Sequence, residues 1–241
     1  MTSLHNAVVL VTGANGGIGS SFVRAALARG AARVYATARS PRAWDDERVV
    51  PLTLDVTDPA SVAAAVEAAP DVTVLVNNAG GLPQTASILE VDEADLRQTM
   101  EINFFAPLLV ARAFAPALRA ADGAVLVDMH SVASWLASGG PYSASKAALW
   151  SATNSLRVEL APHGVLVTGV HVGYVDTAMA AHADGPKMAP DDLVTAVLDG
   201  VEAGAHEVVA DELSAAVKAG LSGPVEALYP ELVHADDHAG A

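Results

Sequence analysis

Short runs of β-branched and other apolar residues recur along this chain, and most are followed by a stretch of helical character rich in alanine. Residues 7–11 (AVVLV), 33–38 (RVYATA), 49–54 (VVPLTL), 72–76 (VTVLV), 124–129 (AVLVDM), 165–170 (VLVTGV) and 206–210 (HEVVA) read as strands. Strands that are apolar on both faces need cover on both faces, and parallel strands joined by helical crossovers supply it. The expected fold class is therefore α/β, a doubly wound parallel sheet with helices on both sides. The helices fall at 18–29, ended by Gly30, and from Asp58, a plausible N-cap with Pro59 in the first turn. Others fall at 92–119, with bends expected around Pro107 and Pro116, from Pro141 to Leu160, and from about Pro190. No repeat or linker interrupts the pattern, so residues 1–241 are expected to form one domain, with 173–189 loose and a frayed tail at about 234–241.

Composition narrows the partners. With 28 acidic residues against 13 Lys and Arg, the net charge of −15 repels nucleic acid and anionic membranes. There is no cysteine, which removes disulfides and thiol chemistry. The start, MTSLHNAVVLVTGANGG, has no basic n-region, and its apolar run breaks at glycines. The expectation is a soluble cytoplasmic protein that meets a small molecule, with no nucleic-acid or membrane partner.

The first strand runs into TGANGGIG, residues 12–19. Gly13 suits a tight turn, Gly17 lets the backbone approach a pyrophosphate, and Gly19 lets the next helix pack closely on the strand. Asn15 and Ile18 lie in the same turn. Free N–H groups and the helix dipole there favour phosphates. The spacing is G-x-x-x-G-x-G rather than G-x-G-x-x-G, so the strand before it and the helix after it carry the assignment. At the end of the second strand, where NAD-binding domains place an acid for the ribose 2′-OH, this chain has Ala38 followed by Arg39. A guanidinium grips a 2′-phosphate that an acid would repel, which favours NADP(H) over NAD(H). LDV, residues 54–56, then places Asp55 and Val56 for an adenine contact.

With these motifs in order, the chain resembles the short-chain dehydrogenase/reductase family over roughly residues 5–215. TGANGGIG resembles its cofactor turn, and NNAG, with Asn78, Ala79 and Gly80, its signature after the fourth strand. Asn103 matches its active-site asparagine, Ser131 its serine after the fifth strand, and Tyr142 with Lys146 its Y-x-x-x-K pair. The resemblance implies a Rossmann-type sheet of about seven strands in the order 3-2-1-4-5-6-7. It also implies hydride transfer between a nicotinamide and a carbonyl or alcohol. Gly173, Val175 and Thr177 would contact the cofactor, together with Tyr142 and Lys146. The other basic position used by some NADP-dependent members is Gly16 here. The Ser131–Tyr142 loop is shorter than usual, and Val172–Gly173 replaces a proline–glycine pair. Members usually associate through the helices after the fourth and fifth strands, which implies a homodimer or homotetramer.

Tyr142 and Lys146 lie one helical turn apart. A free tyrosine ionises at about 10, too high for efficient proton transfer near neutrality. A neighbouring ammonium and a positively charged nicotinamide both stabilise the phenolate, so Lys146 is expected to lower the tyrosine pKa. Tyr142 would then protonate the alkoxide, Ser131 would hydrogen-bond the same oxygen, and Asn103 would tie Lys146 to water. Trp135, Leu136, Tyr174 and Met179 are candidate substrate-pocket residues, and 174–189 a candidate lid. The eight histidines, His130 and His171 among them, lack ligand spacing and read as structural or solvated, so no metal is expected. The leading expectation is an NADPH-dependent reductase of a small ketone or aldehyde, or the reverse alcohol oxidation. The alternative is a non-catalytic NADP-binding regulator on the same fold, although such a module has no need of a proton donor.

Overall fold

A computed structural model describes residues 3–232. Seven parallel strands form one sheet: β1 (Val8–Thr12), β2 (Arg33–Ala38), β3 (Val49–Thr53), β4 (Val74–Asn77), β5 (Val125–Met129), β6 (Leu166–His171) and β7 (Glu207–Val209). Their order is β3-β2-β1-β4-β5-β6-β7, as expected. The chain reverses its direction of travel across the sheet between β1 and β4, and that crevice is where a doubly wound sheet binds its ligand.

Because side chains alternate along a strand, each central strand feeds two cores. Val9 and Val11, Val74 and Val76, and Val125 and Val127 face one layer with α1 (Gly17–Ala28) and α6 (Pro190–Glu202). Leu10, Leu75 and Leu126 face the other, with α2 (Pro59–Ala68), α4 (Ala106–Ala120) and α5 (Pro141–Leu160). Asp58 caps α2 by accepting the Ala60 N–H, with Pro59 in its first turn, as the sequence predicts.

Two elements depart from expectation. The predicted helix over 92–119 is divided. It begins as α3 (Glu93–Met100), passes through a π-helical turn at Glu101–Phe105, and resumes as α4. Pro107 lies in the first turn of α4 and has no N–H to offer the carbonyl four residues back, that of Asn103. The second departure is α7 (Glu212–Gly220), in a stretch read without structure beyond the last strand. Asp211 caps it and accepts the Ser214 N–H at 2.7 Å. The predicted frayed tail, 234–241, lies outside the described residues.

Candidate functional site

The glycine turn is locked to the fourth strand by one hydroxyl. Thr12 Oγ1 accepts the N–H groups of Asn78 and Ala79, both at 2.9 Å, and Asn78 Nδ2 donates to the Thr12 carbonyl at 2.8 Å. Gly13 has φ +68°, a conformation suited to glycine. A β-carbon on Gly19 would sit 2.3 Å from the Gly13 carbonyl oxygen, so the helix packs on the turn only without a side chain there. No side chain caps the start of α1, which leaves its first N–H groups without a side-chain partner. This fits a pyrophosphate. Ile18 packs against the core, and a β-carbon on Gly17 would press on Thr177 Cγ2 at 2.8 Å. The structure therefore brings Thr177 opposite the turn.

At the end of β2, Ala38 is half-buried and Arg39 exposed. Asn15 pins the following loop, donating to the Ser40 carbonyl at 2.8 Å and accepting the Arg42 N–H at 3.4 Å. Arg42 lies over the Trp44 ring at 4.1 Å. Sequence reasoning passed over Arg42, although a second arginine three residues after Arg39 was the available signal. Asp55 accepts both the hydroxyl and the N–H of Thr57, and these bonds hold its carboxyl below the usual range, with Arg39 adding a smaller pull. Val56 packs against the core beside it.

Asn103 sits in the π-helical turn, fully buried. Its Oδ1 accepts the Gly81 N–H at 3.0 Å and its Nδ2 donates to the Gly81 carbonyl at 2.8 Å, so it grips the backbone just after NNAG. A β-carbon on Gly80 would come 3.0 Å from Asn103 Oδ1 and 3.8 Å from Lys146 Nζ. The segment that follows β4 and the lysine of α5 therefore meet across Gly80. Lys146 Nζ donates to the Met129 carbonyl at 2.8 Å and lies 5.7 Å from the Tyr142 ring. Ser131 Oγ accepts the Ala133 N–H at 3.1 Å. Asn103, Ser131, Tyr142 and Lys146 thus come from three separate elements to the carboxyl ends of β4 and β5.

The short loop before Tyr142 is closed by Gly140, with φ +51°; a β-carbon there would collide with the Ala86 carbonyl oxygen at 1.9 Å. Where the family's proline is replaced by Val172, the Gly173 N–H donates to Asp211 Oδ2, so the cap of α7 also holds this turn. Of the candidate pocket residues, Trp135 and Leu136 pack with Val217 under α7 rather than standing free. Tyr174 and Met179 are 48% and 44% exposed, and the 174–189 segment that carries them is tied back by the Val175–Met188 bridge. Among the described residues no cluster of three His, Asp or Glu is placed to hold a metal ion.

The electrostatics correct one expectation. Burial pushes the Tyr142 phenol up to about 12, against an opposing pull from the Ser131 hydroxyl, and pushes Lys146 down to about 8, with Asp128 opposing. Desolvation of the phenolate outweighs the Ser131 hydrogen bond, so in the ligand-free protein the phenol is not held below its ordinary value beside Lys146.

Comparison with known proteins agrees with this geometry. The sequence model of the short chain dehydrogenase family matches residues 7–187, and this chain belongs to that family. A short-chain dehydrogenase from Penicillium crustosum is 40% identical over 189 residues, covering 72% of this chain and 68% of the relative. An NADPH-dependent 1-acyldihydroxyacetone phosphate reductase from Schizosaccharomyces pombe is 37% identical over 70% of this chain, which spans only 60% of that enzyme. A Burkholderia cenocepacia short chain dehydrogenase solved in complex with NADP superposes with a TM-score of 0.88 at 37% identity, covering 95% of this chain and 99% of the other. The chain is thus an oxidoreductase of the short-chain dehydrogenase family with NADP-bound structural neighbours.

In the ligand-free protein Tyr142 should stay protonated through the neutral and mildly alkaline range. Subtracting the ultraviolet pH titration of Tyr142→Phe from that of the wild type should leave no tyrosinate signal below about pH 11. A step near about pH 7 would mean that the protein lowers this pKa unaided.

Proposed function

We propose that this chain is an NADPH-dependent reductase of a ketone or aldehyde on a small organic molecule, running the matching alcohol oxidation in reverse. The observation that carries the reading is the convergence of Asn103, Ser131, Tyr142 and Lys146 beside the glycine turn. The NADP-bound Burkholderia neighbour and an NADPH-bound carbonyl reductase from chicken fatty liver, TM-score 0.78 at 26% identity and covering 88% of this chain and 96% of the other, support the cofactor and the reaction class.

In this reading Gly13, Asn15, Gly17, Ile18 and Gly19 hold the pyrophosphate, Asp55 and Val56 the adenine, and Arg39 the 2′-phosphate, with Arg42 close by. Asn78, Ala79, Gly80, Gly173, Val175 and Thr177 line the nicotinamide half. Bound NADPH would supply the hydride. Lys146 binds the ribose hydroxyls and Tyr142 donates its proton to the alkoxide oxygen. Ser131 donates a hydrogen bond to that same oxygen, and Asn103 sets the backbone against which Lys146 is placed. An oxidised nicotinamide held there would add a positive charge beside the buried phenol. Tyr174 and Met179, on the segment 174–189, cover the substrate side. The whole chain works as a single Rossmann-type unit.

Three measurements test this. Incubation with NADPH and a panel of ketones and aldehydes should give loss of nicotinamide absorbance. Tyr142→Phe should lower kcat by at least about 10²-fold while leaving NADPH affinity near wild type. No oxidation of NADPH by the wild type with any carbonyl would refute the reading. Charge-assisted bonds to phosphate contribute about 1.5–3 kcal/mol, or about ten- to a hundredfold in affinity. Arg39→Ala should therefore weaken NADPH by that factor and leave NADH nearly unchanged; equal weakening of both would refute the 2′-phosphate assignment.

Assembly follows the same reading. Along the helices after β4 and β5, Phe105, Leu109 and Val158 are 44%, 39% and 75% exposed, more apolar surface than a solvated face needs. Trp150 is not among them, because it packs edge-on to Trp135 at 6.1 Å within its own chain. We expect α4 and α5 to form a symmetric homodimer or homotetramer interface. Light scattering should give at least twice 24.5 kDa, and a mass at the monomer value across micromolar concentrations would overturn this.

A further inference from the structure

Behind the site lies a polar chain that the proposed reaction does not use. Asp128, Thr153 and His171 are fully buried and His130 nearly so. Asp128 Oδ2 lies 2.7 Å from Thr153 Oγ1, which lies 2.9 Å from His130 Nε2. His130 Nδ1 lies 3.1 Å from His171 Nε2, and His171 Nδ1 lies 3.2 Å from the Ser131 carbonyl oxygen. Asn77 Nδ2 donates to the other Asp128 oxygen at 2.9 Å. Trp135 stacks on the His171 ring at 3.6 Å and fixes its plane.

Thr153 Oγ1 also lies 2.9 Å from the carbonyl oxygen of Leu149 in its own helix. The four links that run from Asp128 to the Ser131 carbonyl need four hydrogens. The threonine hydroxyl and two neutral imidazoles bring three, and an ionised carboxylate brings none. With three, one link must set two acceptors against each other inside the protein, where such a pairing is most costly. We propose that this network holds one additional proton, that the proton resides on Asp128, and that the completed chain of bonds positions Ser131 from behind.

With the Thr153 hydroxyl hydrogen turned to His130 rather than to the Leu149 carbonyl, the direction of each donor along the chain follows. Asp128 donates to Thr153, Thr153 to His130 Nε2, His130 Nδ1–H to His171 Nε2, and His171 Nδ1–H to the Ser131 carbonyl. Both imidazoles are neutral Nδ1–H tautomers. The charged neighbours are Lys146 and Arg157 near Asp128 and His130, and Arg157, Lys218 and Glu207 near His171. The three cations oppose an imidazolium. Glu207, 3.7 Å from His171 Nε2, favours one but is already paired with Lys218. Lys146 and Arg157 favour the carboxylate, yet burial dominates and raises the Asp128 pKa. Burial likewise holds His130 well below the usual histidine range and His171 down at about 4.

The proton count concerns the ligand-free protein. Its bearing on catalysis rests on the role proposed above for Ser131. Nitrogen-15 NMR of the ligand-free chain should show His130 and His171 as Nδ1–H tautomers that do not titrate between about pH 5 and 9. An Nε2–H tautomer on His171, or an imidazolium on either ring, overturns the assignment. Asp128→Asn places an N–H donor where the acid proton sits and should keep both tautomers. In the wild type, folding takes up a proton that the unfolded aspartate loses above about pH 4, so stability falls as pH rises above that point. The melting temperature of Asp128→Asn should therefore gain on the wild type between about pH 5 and 8. A gap that is flat or closes over that range refutes the acid, and if the variant does not fold, the wild-type tautomers decide alone. His171→Phe keeps the stack on Trp135 and removes both nitrogens. It should lower kcat on the order of tenfold with little change in KM, and an unchanged kcat would refute the positioning role while leaving the proton count to the spectra.

Discussion

The Thr12 hydroxyl at the end of β1 is the joint on which the site depends. In a parallel sheet the chain leaves each strand at the same end, so the loops after β1, β4 and β5 gather there whatever their sequences. Gathering is not registration. By accepting the N–H groups of both Asn78 and Ala79, Thr12 sets the height of the NNAG segment against the glycine turn. From there Gly80 meets Asn103 and Lys146, and Lys146 reaches back to the carbonyl of Met129. The glycine turn and the helix that carries Tyr142 and Lys146 are thereby measured from one buried oxygen. The backbone groups involved would otherwise be unpaired donors at the edge of a water-poor crevice.

The energetic division inside the site follows from burial. A phenol enclosed by protein holds its proton, and an enclosed ammonium gives its proton up more readily. A positive charge brought against the phenol would oppose that desolvation.

Much of this was legible from sequence because the signals were local. The boundaries of β2, the Asp58 cap, the glycine turn and the spacing of Tyr142 and Lys146 all depend on residues within a few positions of one another. Most of what escaped depends on distant contacts. Asp211 caps α7 through the nearby Ser214 N–H, but its other oxygen takes the Gly173 N–H from another part of the chain. Trp135 looked like a pocket wall until α7 came to lie over it. His130 and His171, 41 residues apart, read from sequence as lying near strand ends at the cofactor side, one in each place; β5 and β6 pair Met129 with Val170, so the two histidines each follow a matched position. Strand adjacency was predicted; carrying it to the residue after β5 and the last residue of β6 finds the pair.

The π-helical turn that bears Asn103 has a consequence for how this chain tolerates insertion and deletion. A π turn closes i→i+5 bonds, so it accommodates one residue more than an α turn within the same sweep about the axis. Beyond it Phe114 and Leu118 face the sheet. Losing one residue from 101–105 would let the segment relax to an ordinary helix without turning that apolar stripe away from β4. What the loss would remove is the wide turn itself, from which Asn103 reaches both backbone groups of Gly81. The core tolerates a change of length at this point; the asparagine does not.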